Sequence, residues 1–575
     1  MMNPFDFTWI FGVTMVLAFA DAFGIGANDV ANAFATSVSS GSLTLLQAVI
    51  CACFTEFLGA LLLGNQVSDT IRSGIMPLDN FADEPEMLML AMMCALFGSA
   101  TWVLTASRFG WPVSTTHSIV GAIIGTGIAG FGADVVDWSF DGVGGIIASW
   151  FISPFASGLI AAIVYLIVKY GVLKRKESLK WGLYLVPVFF FVTSFIEAFY
   201  IIYKGAPGTQ AAKMGIGAQV GIAFGIGGFF LVWSALFVVP WLRRRIIERE
   251  SLRWYHVFVV HFISKRPRID QDEEGKPSAD FALPTDQDAA IVREEQENVD
   301  QKESDDSKKL EKSTSDAIAH QQDAESSDSN SQIKGPQHQI IEKVDENDIL
   351  ATPFYWGKLL SGTYLRKKAA FLLLHGVRKD VRNLNSPHLK NIHAAAVKYD
   401  NNTEYMFSFL QVLTALVFSF AHGSNDVSNA VGPLSAVHTI WTTATVGEKV
   451  PTPIWILAYG GIALDIGLAT YGYHVMRRLG NNITYMTPSR GFSTELGAAI
   501  TILTCSQAGI PVSSTHCATG ATAAVGLCNG NLRAINWKML AWCMFAWVLT
   551  LPIAGLIAGL TYSIIIYAPH FGMTV

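Results

Sequence analysis

The stretch Gly24 to Thr36, GIGANDVANAFAT, sets an acid and two amides inside a run that is otherwise lipid-like, and it recurs as GSNDVSNAVGP from Gly423 to Pro433. Asn28, Asp29 and Asn32 thereby have counterparts in Asn425, Asp426 and Asn429. Each copy follows an apolar run, which puts the acids at membrane depth, where a carboxylate costs roughly 2.5 kcal/mol or more and therefore faces a partner, a cavity or a transported ion. Trp9 to Phe23 is shorter than the roughly 20 residues a spanning helix needs. The spacing thus predicts a helix that breaks at Gly24 and Gly26 and resumes to Ser39 with Asn28, Asp29 and Asn32 on one face. Such a break is tolerated where the freed backbone lines an enclosed or watery cavity. A glycine-kinked packing helix is the plainer reading of one copy; the second copy weighs against it.

Downstream of each copy lies a second repeated motif. Gly110 to Gly130 reads GWPVSTTHSIVGAIIGTGIAG, and Gly509 to Gly520 reads GIPVSSTHCATG. Proline belongs at the first turn of a helix. Ser114, Thr115 and Thr116, and likewise Ser513, Ser514 and Thr515, therefore crowd helix N-termini, whose unpaired N–H groups suit a phosphate-like anion. One such motif is weak evidence, because serine and threonine cap many helices. Two, in the same order as the acidic motifs, carry more weight: Asp426 follows Asp29 by 397 residues, and Ser513 follows Ser114 by 399. Repeats of this kind place substrate where the halves meet. The loop after the second span is acidic in the first half (Asp69, Asp79, Asp83, Glu84, Glu86), whereas the corresponding loop of the second half holds Arg477, Arg478 and Arg490. Equivalent loops then lie on opposite sides of the membrane, which makes the repeat inverted. Two further acids, Glu56 and Glu495, stand in or at the start of apolar runs.

The chain has 575 residues, 51% of them hydrophobic, with 50 glycines and a mean hydropathy of +0.36. That is too apolar and too long for one soluble core, and it predicts an all-α polytopic membrane protein. The formal charge of −6 sits mostly in one central polar segment and supports no nucleic-acid reading. The seven cysteines fall almost wholly in apolar stretches, where they act as small hydrophobes. The apolar N-terminus lacks a basic leader and a cleavage site, so the first span is expected to stay. Lys174 to Lys180 and Arg243 to Arg245 mark cytoplasmic connections. The expected division is a membrane half at 1–242 with repeat 1 and three further spans, a cytoplasmic loop at 243–405, and a membrane half at 406–575 with repeat 2. The tract 270–348 is too polar to bury a core and is expected to be disordered. Its flanks, Trp254 to Ile263 and Tyr355 to Leu374, read either as amphipathic pieces on the inner membrane surface or as juxtamembrane packing.

The paired GANDVAN/GSNDVSN and PVSTTHS/PVSSTHC motifs, with SRGFSTE at Ser489 to Glu495, resemble the inorganic phosphate transporter (PiT) family, and within it the fungal plasma-membrane sodium-dependent phosphate symporters. The resemblance covers both hydrophobic halves. It implies about twelve membrane segments in two inverted repeats with broken helices and re-entrant half-helices. It also implies a secondary active transporter, not an enzyme, that takes up inorganic phosphate with sodium by alternating access. Asp29 and Asp426 match the family's paired essential aspartates, and Glu56 and Glu495 its functionally important glutamates; these four are the expected sodium ligands. The residue reading assigns phosphate to Asn28, Asn32, Ser114, Thr115, Thr116, Asn425, Asn429, Ser513, Ser514 and Thr515. No cofactor is expected. The expected partners are phosphate, sodium and lipid, with a homodimer left open. The symmetry is imperfect at the acids: Leu96 stands where the repeat would put a partner for Glu495, and Asp465 has no assigned role.

Phosphate carries one or two negative charges near neutral pH, and carboxylates nearby repel it in a medium of reduced dielectric. Cations must therefore arrive with it, and the absence of Arg and Lys from the motifs keeps the anion site dependent on them. His117 and His516 raise proton coupling as an alternative, against which stands a hydrogen bond within each half-helix. Asp21 reads as an ion ligand or as an entrance residue. A passive channel and a phosphate-sensing receptor are the rival classes; no nucleophile, base and orienting group recur together as an enzyme would need.

Overall fold

In the first half, α1 (Thr8–Asn28), α2 (Val30–Ser39), α3 (Leu45–Leu63), α4 (Asn65–Ser73), α5 (Pro85–Phe109) and α6 (Thr115–Phe131) make the first repeat. Then come α7 (Val143–Leu173), α8 (Ser178–Tyr203) and α9 (Ile216–Ile247). After the central segment come the short α10 (Pro387–Ala394) and α11 (Asn401–Met406). The second repeat is α12 (Ser408–Thr443), α13 (Ile454–Tyr471), α14 (Tyr473–Ile483), α15 (Pro488–Gln507) and α16 (Ser514–Leu527), and α17 (Trp537–Tyr567) closes the bundle. This computed structural model describes residues 3–75, 78–140, 142–203, 214–268, 387–447 and 451–568. The tract 270–348 and the flank Tyr355 to Leu374 lie outside the described residues.

Among the described residues, eight runs are long and apolar enough to cross a membrane. The four remaining long or re-entrant helices, α6, α12, α15 and α16, bring the described residues to the twelve segments the sequence implies. Of these, α6 and α16 are too short, at 17 and 14 residues, while α12 and α15 carry polar side chains, Asn425, Asp426 and Asn429 in the one and Arg490 and Glu495 in the other. Helices suit this setting because each satisfies its backbone polar groups internally, and lipid offers no alternative partner.

The break expected at Gly24 and Gly26 does not occur there. α1 runs through both glycines, and the irregularity shrinks to one residue, Asp29, whose N–H still reaches Ile25 O at 2.7 Å while Asn32 N–H takes Asp29 O at 2.9 Å. In the second copy α12 passes Asp426 without interruption over 36 residues. The glycines serve close packing instead. A Cβ on Gly26 would lie 1.9 Å from Leu464 O, and one on Gly467 2.0 Å from Phe23 O, so α1 and α13 meet backbone to backbone. The symmetry-related pair does the same: Gly59 abuts Phe420 O and Gly423 abuts Glu56 O, joining α3 to α12. Small residues at such crossings are how membrane helices gain contact when lipid is as apolar as they are.

Each repeat ends in a hairpin, α5–α6 or α15–α16, whose tip turns at a glycine in the left-handed region, Gly110 at φ +66° and Gly509 at φ +72°. The half-helices α6 and α16 start just beyond those tips. Ser114 Oγ accepts His117 N–H and Ser513 Oγ accepts His516 N–H, each at 3.3 Å, as N-caps.

One face of the bundle collects the basic connections and the chain entering α12. Arg490, fully buried, donates to Tyr485 O, Val397 O and Asn529 Oδ1. Glu404 accepts both Ser489 N–H and Ser489 O–H, and Asn531 donates to Ala395 O. Asn536 donates to Asn482 O, which puts the end of α14 on that same face. By its charge this is the inner face. The first flank of the central segment also lies beside it: Trp254–Val259 forms a 3-10 turn with Phe258 against Trp233 and with Trp254 and Phe258 exposed.

Candidate cation and anion site

Asp29 and Asp426 stand at the crossing of the repeats, fully buried, and the two hairpin tips point at them. The hydrogen bonds run across the repeat boundary. Thr515 of the second half donates to Asp29 Oδ1 at 3.0 Å, and Thr115 of the first donates to Asp29 Oδ2 at 2.7 Å. Thr116 of the first half reaches Asp426 Oδ1 at 3.3 Å. The second amide of each motif crosses likewise: Asn32 Nδ2 donates to Thr515 Oγ1 at 2.7 Å, and Asn429 Nδ2 lies within 3.3 Å of Thr115 Oγ1, Thr116 Oγ1 and Asp426 Oδ1. The carbonyl oxygens Asn32 Oδ1 and Asn429 Oδ1 are buried with no hydrogen-bond donor. A pair of unpaired buried acceptors beside carboxylates is chemistry for a hard cation, which takes oxygen ligands.

The first amide of each motif has a different task. Asn28 donates to Ser107 Oγ and Trp111 O and accepts Val113 N–H. Asn425 donates to Val512 O and accepts Ser506 O–H. Both amides, expected among the phosphate ligands, hold the tips of the hairpins in their own repeats. That fixes where the hydroxyls of the half-helices stand.

The glutamates diverge. Glu495 Oε1 accepts Thr36 O–H, Ser37 O–H and the Gln411 amide, and Oε2 accepts Thr414 O–H, at 2.6–3.1 Å. With four donors it ties α2 and α12 to α15. Glu56 accepts Ser419 O–H at 2.8 Å and stands 2.8 Å from His422 Nδ1. The other ring nitrogen, Nε2, is 3.1 Å from Asp426 Oδ2 without meeting hydrogen-bond angles. His422 thus links one glutamate to one aspartate. Asp29, His422 and Asp426 each offer a ligand atom, all within 4.8 Å of one another.

His422 escaped the sequence reading, although the signal was present: it lies one helical turn before Asp426, where the first copy has Ile25. Thr36, Ser37, Gln411 and Thr414 were missed too, because nothing in their local sequence marks a partner on another helix. His117 and His516, by contrast, are packed. Their rings meet edge to face at 4.5 Å, His117 lies on Trp150 and His516 on Trp547. Each Nδ1 is directed at the carbonyl of the other ring's tryptophan, Trp547 for His117 and Trp150 for His516. Asp21 is fully buried in α1.

Comparison with known proteins gives one family. The phosphate transporter family model matches residues 25–558. The chain is 38% identical over 592 residues to the phosphate-repressible phosphate permease pho-4 of Neurospora crassa, covering 99% of both proteins. It is 32% identical over 636 residues to sodium-dependent phosphate transporter 1-A of Danio rerio, covering 98% of this chain and 95% of the relative. Among solved structures, one described as the sodium-dependent phosphate transporter superposes with a TM-score of 0.63 at 26% identity, covering 98% of this chain and all of that one.

Proposed function

The chain belongs to the phosphate transporter family, and from that premise we propose that it carries inorganic phosphate into the cell across the plasma membrane, coupled to sodium, by alternating access. Relatives named for sodium-dependent phosphate transport, aligned over nearly the whole chain, support the substrate and the coupling ion. The observation that carries the coupling is the direct hydrogen bonding of the half-helix hydroxyls to the carboxylates, Thr115 and Thr515 to Asp29 and Thr116 to Asp426.

A hydroxyl has one hydrogen to donate and two lone pairs. While the carboxylates are bare, they attract those hydrogens and their own charge repels an anion, so the site is closed to phosphate twice over. Sodium ions held by Asp29 and Asp426, with Asn32 Oδ1 and Asn429 Oδ1, take the charge of both carboxylates. They can also use the hydroxyl lone pairs as ligands, which turns the O–H bonds outward. Those hydrogens, with the first-turn N–H groups of α6 and α16, then face the anion. Cation binding thereby creates the anion site. Arg490, Lys169 and Arg245, the buried Arg and Lys side chains among the described residues, are held by backbone carbonyls or Asn529 and leave this dependence intact.

Uptake of labelled phosphate into vesicles holding the purified protein tests the reading, with sodium replaced by choline at two pH values. Sodium-dependent uptake with trans-stimulated counterflow is expected. Uptake in choline that rises at acid pH would favour proton coupling, for which His422 between Glu56 and Asp426 is the natural carrier. Flux without trans-stimulation would make the protein a channel, and binding without flux a sensor.

A further inference from the structure

A small cavity of about 20 Å3, room for a single water, leads from the site toward the inner face. Asn32 and Thr36 of α2 line its deep end, Thr519 and Thr522 of α16 one wall, and Leu479 and Ile483 of α14 its inner end. Leu479 and Ile483 are buried, at 6% and 2% exposure, so α14 covers the inner end of the cavity. Its lining is mostly apolar, and its polar groups are neutral: hydroxyls and one amide, with Thr494 Oγ1 buried and unpartnered. As it stands it is too small for phosphate, and a movement of α14 away from α2 would widen it. We propose that this cavity is the vestibule through which phosphate leaves for the cytoplasm and that α14 is its gate.

α14 has the build of a lid. It follows the membrane helix α13 after the single residue Gly472, and it is amphipathic, with Val475, Met476, Leu479 and Ile483 buried and Arg477 and Arg478 exposed. It rests on α2 at one close contact: a Cβ on Gly480 would stand 1.9 Å from Ser39 Oγ and 3.1 Å from Ser39 Cβ. Its other end touches the tip of the first hairpin, since a Cβ on Gly110 would lie 3.0 Å from His474 O. The repeat supplies a counterpart on the opposite face. α4 follows α3 after the single residue Gly64, buries Val67 and Ile71, and lies on α12 with Ile71 at Gly432. Thr70 of α4 donates to Gly509 O, at the tip of the second hairpin. Each face therefore has a short amphipathic helix leaning on the arm beyond one acidic motif and on the tip of one hairpin. Alternating access needs one such closure on each side, and inversion of the repeat provides two from one design.

The proposal rests on the phosphate-transport reading, and its test separates the two. In Ser39→Cys/Gly480→Cys the new sulfurs sit at a Cβ spacing close to that of a disulfide, roughly 3.5–4.5 Å. Oxidation should bridge α14 to α2. With the bridge formed, sodium-driven phosphate uptake should fall at least roughly tenfold and return with reductant, while phosphate binding to the purified protein stays within about threefold. Bridged protein that transports at the reduced rate overturns the gate. Wild-type protein that moves no phosphate in the same vesicles overturns the functional reading and the gate with it. Should the double variant not fold, Thr522→Cys serves. A negatively charged, membrane-impermeant thiol reagent should inactivate it from the inner face at least about tenfold faster than the parent protein, and not from the outer face. Equal rates, or inactivation from outside alone, would sink the proposal.

Discussion

Thr515→Val removes a hydroxyl that meets three polar groups of the site, and little else. Oγ1 donates to Asp29 Oδ1 at 3.0 Å, accepts the Asn32 amide at 2.7 Å and lies 3.2 Å from Val113 O. Valine keeps the branched shape and loses the polar atom. If sodium turns this hydroxyl toward phosphate, the substitution deletes a hydrogen bond to a charged ligand, worth about 1.5–3 kcal/mol, or roughly 10- to 150-fold in affinity at 1.4 kcal/mol per tenfold. Sodium alone should respond less, since it loses one neutral oxygen ligand but also a donor that competed for Asp29. The two effects oppose, and a change of about threefold or less is expected by the same scale. Binding to purified protein measures both, with sodium titrated in the absence of phosphate and phosphate titrated at saturating sodium. The separation matters because linked ligands transmit each other's losses. Phosphate affinity within about threefold of wild type, together with a tenfold or greater loss for sodium, would mean that the half-helix tips are cation ligands and that the roles are reversed.

Three further outcomes follow from the same geometry. Asp29→Asn and Asp426→Asn should each abolish concentrative uptake while leaving protein in the membrane, because both acids are buried at the crossing with polar partners an amide can keep; sodium-driven uptake near wild type in either would remove it from the cation site. His422→Ala should cost uptake at least roughly tenfold, since it leaves Glu56 and Asp426 facing one another without the ring between them; unchanged transport would make His422 a packing residue. Gly26→Ala should lower the thermal stability of the purified protein and the yield of folded protein, as its Cβ meets backbone at 1.9 Å and overpacking typically costs about 1–3 kcal/mol. An unshifted melting temperature would show that α1 and α13 separate freely.

What the sequence made legible was whatever the repeat wrote twice. The aspartates, the second amides and the capped hydroxyls were found because each has a twin at nearly constant spacing, and they meet at the crossing. What it hid was written once or depended on a partner in another helix. His422 has Ile25 for a counterpart, so the comparison that exposed Asp426 was blind to it. The donors around Glu495 come from α2 and α12, two of them 459 and 458 residues distant in the chain, and a hydroxyl on a helix reads the same whether it bonds its own turn, as Thr501 does on Gly497 O, or serves a buried acid, as Thr36 does. The break at Gly24 and Gly26 is inferred from the shortness of the apolar run Trp9 to Phe23; in lipid the backbone has no other partner, so the helix continues, and closeness between helices decides the residue.

The inequality between the two halves bears on mechanism more than their likeness does. Symmetry alone would make the aspartates equivalent, and two equivalent cation sites would give the carrier no order in which to fill or empty them. Asp29 is satisfied by two hydroxyls on the hairpin tips, whereas Asp426 has one long hydroxyl contact, an amide and an imidazole shared with Glu56. On the proposed reading, a cation approaching Asp29 meets the donors that phosphate would use. One approaching Asp426 meets the His422 ring, which lies one turn before it on the same helix face and reaches Glu56 on α3. The two aspartates therefore have different neighbours, Asp29 the hydroxyls of the hairpin tips and Asp426 the His422–Glu56 pair beside the packing of α3 on α12, where Gly59 and Gly423 bring the backbones together. A single histidine in one copy and an isoleucine in the other is enough to divide those tasks.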